Sequence, residues 1–99
     1  MTFTLSDHGT VFATRKRGAC MLAALDSVPE VLDFSRVERV SYSFADEFVG
    51  KLLQRTHDRG LQAPTLLNMG PDVGHSVKLS LANRNLSART KQESLLQAA

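Results

Sequence analysis

Ser41, Tyr42 and Ser43 place three hydroxyls in a row, and two carboxylates, Asp46 and Glu47, follow three and four residues after Ser43. Such a block has three chemical uses: capping a helix, holding a divalent cation, or accepting a phosphate. Capping is the commonest. Ser43 is placed as an N-cap, its hydroxyl accepting from a free first-turn N–H, with Asp46 as the return partner of a capping box. Glu47 adds negative charge near the positive end of the helix dipole. A phosphate on Ser43 would gain from the same dipole while crowding Asp46 and Glu47.

The remaining chemistry-bearing residues do not converge. His8, His57 and His75 fall at no metal-ligand spacing, and none pairs with Cys20 in sequence. Gly70–Gly74 holds two glycines but lacks the Lys-Ser/Thr sequel of a phosphate loop. No spacing supports a Ser-His-Asp triad. The expectation is therefore a protein that is not an enzyme and uses no metal or cofactor. Cys20 is expected as a small core residue on a helix face. Asp33 sits inside an apolar strand pattern and needs donors, for which the Ser35–Ser43 connection is the nearest supply. Arg15, Lys16 and Arg17 form the single basic triplet, in the first turn of a helix that Thr14 can cap, where they oppose the macrodipole. They either point into water or bind an anion.

Positioning these residues requires a layered α/β frame. Val31–Phe34 is apolar around Asp33 and bounded by Pro29 and Ser35, as a central parallel strand is. A helix is expected from Phe44 to about Arg59, its apolar face formed by Phe44, Phe48, Val49, Leu52 and Leu53, with Gly60 as its C′ residue. Thr65–Met69 reads as the next strand, and Pro71–Ala82 as a further helix closed by Asn83 and Asn85. Upstream, Thr2–Leu5 alternates, Asp7–Gly9 signals a turn, and Thr10–Thr14 is a short strand, together suggesting an N-terminal hairpin. Cys20, Met21, Ala24 and Leu25 share a face of the Arg15–Ser27 helix. The expected fold is one mixed sheet of about four strands, hairpin plus a right-handed parallel βαβ unit, with about three helices. One domain over residues 1–84 is followed by a tail, 85–99, helical or disordered.

Composition narrows the function classes. Ninety-nine residues, 42% hydrophobic and 22% charged, suit one domain with its own core. A net charge of +2, 6% aromatics and no tryptophan argue against a nucleic-acid surface. One cysteine excludes an internal disulfide. No apolar run reaches the roughly 18–20 residues of a membrane span, and residues 1–8 lack the pattern of a secretory signal, so a cytoplasmic protein is expected.

Val31-Leu-Asp-Phe-Ser-Arg-Val37 followed by Val40-Ser-Tyr-Ser-Phe-Ala-Asp-Glu-Phe48 resembles the central block of STAS-like domains, relatives of the anti-sigma factor antagonists. Gly9–Arg15 resembles the segment ahead of their first helix, and the likeness runs in order over residues 9 to 83. It implies a STAS-like fold and a regulatory protein-interaction module. It further implies docking through the 41–48 loop and helix start, here Ser41, Tyr42, Ser43, Phe44, Asp46 and Glu47, on a kinase-like ATPase or an anti-sigma factor. The position phosphorylated in the antagonists falls nearest Tyr42, with Ser43 immediately after it as the candidate phosphorylation site. Ser41–Phe44 stands where the antagonists carry an Asp-Ser-Ser-Gly-like block, so the aspartate and glycine are missing. The alternative function is a small-molecule or anion site, for nucleotide or phosphate, at Arg15, Lys16 and Arg17. Homodimerisation through a sheet edge or the tail is compatible with either.

Overall fold

A computed structural model describes residues 1–93 of the chain. Four strands form one parallel sheet in the order β1 (Thr2–Thr4), β3 (Val31–Asp33), β5 (Thr65–Leu67), β6 (Thr90–Lys91). A separate parallel ribbon joins β2 (Val11–Phe12) to β4 (Arg39–Val40). Three helices among the described residues complete the frame. The first, α1, spans Arg15–Ala23. The second, α2, runs through Tyr42–Ala45, a π-helical turn at Asp46–Gly50, and Lys51–Asp58. The third, α3, spans Pro71–Asn83. The α/β class, the parallel βαβ unit and the three helices agree with the STAS-like architecture expected.

The N-terminal hairpin does not form. Both short strands exist, yet each pairs in parallel with a later partner: Phe3 opposite Leu32, and Phe12 opposite Val40. A 3-10 turn at Leu5–Asp7 buries Leu5 completely and diverts the chain before β2. Alternation in Thr2–Leu5 identifies a strand but not its neighbour; β3, central and apolar, needs a partner on each side, and β1 supplies one. Beyond Asn85 the chain contributes β6, an edge strand, where a helix or disorder is expected; residues 94–99 lie outside the described residues. β6 is two exposed residues held by backbone bonds, such as Asn68 N–H to the Lys91 carbonyl at 2.7 Å, so its sequence carries no apolar signature.

The core lies between the sheet and α2. Leu32 and Leu66, the middle residues of β3 and β5, are buried, while their neighbours along each strand are half-buried. Successive strand residues face opposite ways, so one face of the sheet packs against the helices more tightly than the other. On the packed face, Phe48 of α2 meets Phe3 and Phe44, each at 5.6 Å between ring centroids, and Phe44 meets Phe12 at 4.9 Å. All five apolar residues expected on this helix, Phe44, Phe48, Val49, Leu52 and Leu53, are buried. Gly60, at φ 66°, closes it by a Schellman motif in which Leu61 N–H bonds the Thr56 carbonyl at 2.8 Å. Asn85, at φ 57°, ends α3 in the same way through Leu86 N–H and the Leu81 carbonyl.

On α1 the buried face is Gly18, Met21 and Leu22; of the four residues expected there, Met21 is buried and Leu25 packs partly buried against the core, while Cys20 and Ala24 are exposed. The cause is Gly18. A Cβ there would sit 3.0 Å from the Glu47 Cβ and 3.2 Å from the Phe44 carbonyl oxygen, so glycine lets α1 lie directly on α2 and sets which face turns inward.

Candidate functional site

The block at residues 41–47 divides into an outward corner and an inward clamp. The corner is built where β4 runs into α2. Ser41, not Ser43, is the N-cap: its hydroxyl accepts from Phe44 N–H at 3.0 Å and donates to the Ala13 carbonyl at 2.9 Å. The short strand β4 explains the offset, since its pairing with β2 carries extended backbone as far as Val40 and the helix starts at Tyr42. Tyr42 Oη accepts from Asn83 Nδ2 at 3.0 Å, tying the start of α2 to α3. Ser43 lies in the first turn, half-buried. Phe44 is fully buried and belongs to the core, so it is not on the docking surface expected for it. Beside the corner, a depression of about 330 Å³ is lined by Val11, Arg39, Ser41, Asp72 and Ser76 among others, and Val11 is 47% exposed.

The clamp lies one turn further along. Asp46 does not reach back to cap the helix. Its Oδ1 accepts from Ser80 Oγ at 2.9 Å and Arg84 Nε at 2.8 Å, and its Oδ2 from Arg84 Nη2 and Arg15 Nη1, both at 3.1 Å. Glu47, nearly buried, accepts from Lys51 Nζ at 2.8 Å and from the same Arg15 nitrogen at 3.1 Å. Arg84 above all, then Ser80 and Arg15, outweigh the cost of burial and hold the Asp46 carboxyl far below the usual carboxylate range. Lys51 is the chief cause of a lowered Glu47 pKa, again against burial.

These contacts explain two anomalies of sequence. The cation at the start of α1 opposes its dipole but meets two carboxylates of α2, and Gly50, in the π turn, makes room for Ser80 and Arg84. A Cβ on Gly50 would meet Ser80 Oγ at 2.5 Å and Arg84 Nε at 2.9 Å. A π turn needs an extra residue per hydrogen-bonded loop, as in the bond from Lys51 N–H to the Asp46 carbonyl; at this turn Asp46 and Glu47 share Arg15 of α1, and Asp46 alone also reaches Ser80 and Arg84.

The basic triplet is split. Arg15 is consumed by the clamp. Arg17 donates to the His8 carbonyl and lies over the Phe12 ring, 4.9 Å from its centroid. Lys16 forms no ion pair among the described residues. The three side chains therefore do not form one anion site.

Elsewhere, Asp33 finds its donors at the carboxyl rim of the sheet. Oδ1 accepts from Ser35 Oγ at 2.7 Å, Ser35 N–H at 2.9 Å and Asn68 Nδ2 at 3.3 Å. Burial disfavours its charge, but Ser35 and Asn68 outweigh it and the pKa is lowered. The cluster joins the ends of β3 and β5, with Asn68 at φ 61° and its side chain also accepting from Glu93 N–H at 2.7 Å. His8, His57 and His75 are exposed on three separate elements, and no group of three His, Cys, Asp or Glu is arranged for a metal ion among the described residues. No helix among them is long and apolar enough to cross a membrane.

Sequence reasoning missed Ser80, Arg84 and Lys51 as clamp members and Asn68 at the rim. Glycines 18 and 50 inside helical patterns were the available signal of close helix approach. Arg84 gave none, because nothing in sequence links it to Asp46.

Among curated proteins and solved structures, none matches the chain. Residues 27–63, which hold β3, β4 and α2, match the model of the family described as a STAS-like domain of unknown function, and over this segment the chain is similar to that family.

Proposed function

We propose that the chain is a non-enzymatic regulatory module that docks on another protein through the corner where β4 enters α2. The observation that carries this reading is the exposed apolar Val11 and the half-buried Ser41, which line one depression at the start of α2, with Tyr42 and Ser43 half-buried in the turn that follows. Ser41 is locked to Ala13 and Tyr42 to Asn83, so the surface is pre-organised and loses little entropy on binding. Asp46 and Glu47 support the corner from behind rather than meeting the partner. The STAS-like character of residues 27–63 favours a kinase-like ATPase or an anti-sigma factor as partner.

A phosphate on Ser43 would stand in the first turn of α2, where the dipole favours it, and the neighbouring carboxylates are already neutralised by Arg15, Arg84 and Lys51. Modification there would change the charge of the docking surface without opening the core.

The test is affinity capture from native lysate with the wild-type chain and with Ser43→Lys, followed by mass spectrometry. The expected result is a kinase-like ATP-binding protein or an anti-sigma factor that the variant loses. Capture that is indifferent to Ser43→Lys, or no specific protein at all, would refute the proposal.

A further inference from the structure

A cavity of about 570 Å³ lies along the exposed side of α1, away from the clamp. Its walls are apolar where Phe3, Met21, Ala24 and Cys20 line it, and its polar edge is Lys16, Arg17 and His8, with no acidic residue on it. The His8 ring stacks on Phe3, 7° from parallel at 5.0 Å between centroids. The volume falls within the roughly 300–1,000 Å³ of small-molecule sites, and an apolar floor with a few convergent polar groups is their usual make-up.

Charge identifies the occupant. Of the three cations at the start of α1, Arg15 is compensated by Asp46 and Glu47, whereas Lys16 forms no ion pair among the described residues. Arg17 is held at the rim by the His8 carbonyl and the Phe12 ring. Both cations sit in the first turn, where the helix dipole adds to the positive potential, so a bound anion would relieve an arrangement that costs stability when empty. Besides Lys16, Arg17 and His8 the polar lining is Thr14, whose hydroxyl already accepts from Arg17 N–H, so no further side chains remain to read a nucleotide base. We infer that this cavity binds a small anionic amphiphile, a single carboxylate on a short hydrocarbon chain, with the head at Lys16 and Arg17 and the chain along Phe3, Met21 and Ala24. This site is independent of the docking corner, and neither depends on the other.

Cys20, the sole cysteine and exposed on the cavity wall, provides the readout. The rate of its alkylation by iodoacetamide is to be measured on the full chain, with sodium decanoate, decanol and decyltrimethylammonium each kept below micelle formation. Decanoate at millimolar concentration is expected to slow alkylation about fivefold by mass action, the other two to leave it nearly unchanged, and Lys16→Glu to remove the protection. Ala24→Trp, which fills the cavity from an exposed helix position, should abolish decanoate binding followed by calorimetry while leaving the urea midpoint in place. Equal protection by all three amphiphiles, or protection that survives Lys16→Glu, would overturn the inference. So would protection that rises with protein concentration without any amphiphile, since a second copy would then be covering this face.

Discussion

Ser41–Ser43 and Asp46–Glu47 stand three residues apart in one block, yet the fold sets them to different work. At the corner, hydroxyls bond to neighbouring backbone and side chains and stay half-open to solvent. At the clamp, both carboxylates turn inward and gather cations from α1, α2 and α3. The π turn begins at Asp46, where the division falls, and Gly50 within it leaves room for Ser80 and Arg84 beside Asp46. A motif that resembles a docking site as a unit is here half surface and half internal support. Residue type alone does not separate the two; Ser80 and Arg84 on the facing surface, and the room Gly50 leaves for them, do.

The comparison can be broken most severely at the point both regions lean on. Phe48→Ala removes the ring between Phe3 and Phe44 and is expected to cost about 3–5 kcal/mol in urea denaturation, disabling corner and clamp together. Arg84→Ala strips two of the bonds on Asp46 and should cost about 1–3 kcal/mol, with partner capture retained. Gly50→Ala tests the same support sterically: its Cβ meets the buried Ser80 hydroxyl, and overpacking of this kind costs about 1–3 kcal/mol.

Acid should dissect the clamp further. The Asp46 carboxyl titrates lower in the folded chain than in the unfolded one, so its contribution is complete above the unfolded value of about 4 and is lost as pH falls below it. The urea midpoint of the wild type should therefore drop on going from pH 5 to pH 2.5, and Asp46→Asn should flatten that slope while starting from a lower midpoint. An unchanged slope would show that Asp46 does not carry the acid sensitivity. At the smallest end, Val11→Asp at the exposed edge of the corner should shift stability by no more than about 0.5 kcal/mol and weaken capture of the partner.

Much of the frame is legible in sequence because burial leaves a periodic trace. The five apolar positions of α2, the strands around Leu32 and Leu66, and the Gly60 and Asn85 helix ends all follow from local pattern. Pairing partners do not. Thr2–Thr4 alternates equally well as a hairpin arm or as a parallel neighbour of β3, and only the demand of a central strand for two partners decides it. β6 joins β5 through backbone bonds, and Thr90–Lys91 has no composition that announces a strand. At Cys20 apolar character does not set the face of α1; the close approach at Gly18 does. Within the site, two serines two residues apart are equal candidates for the cap until β4 fixes where extended backbone stops. Arg15 is the instructive case: three cations against a helix dipole marked an unresolved charge, and the structure supplies its partners thirty-odd residues away in Asp46 and Glu47.

The division of labour between corner and clamp is tested most directly by measuring partner capture and urea midpoint together on Ser43→Lys and Arg84→Ala. Ser43→Lys should lose the partner at an unchanged midpoint, and Arg84→Ala should keep the partner at a lowered one. The opposite pattern, with binding lost through Arg84 and retained through Ser43, would place the working surface at the clamp and contradict the account.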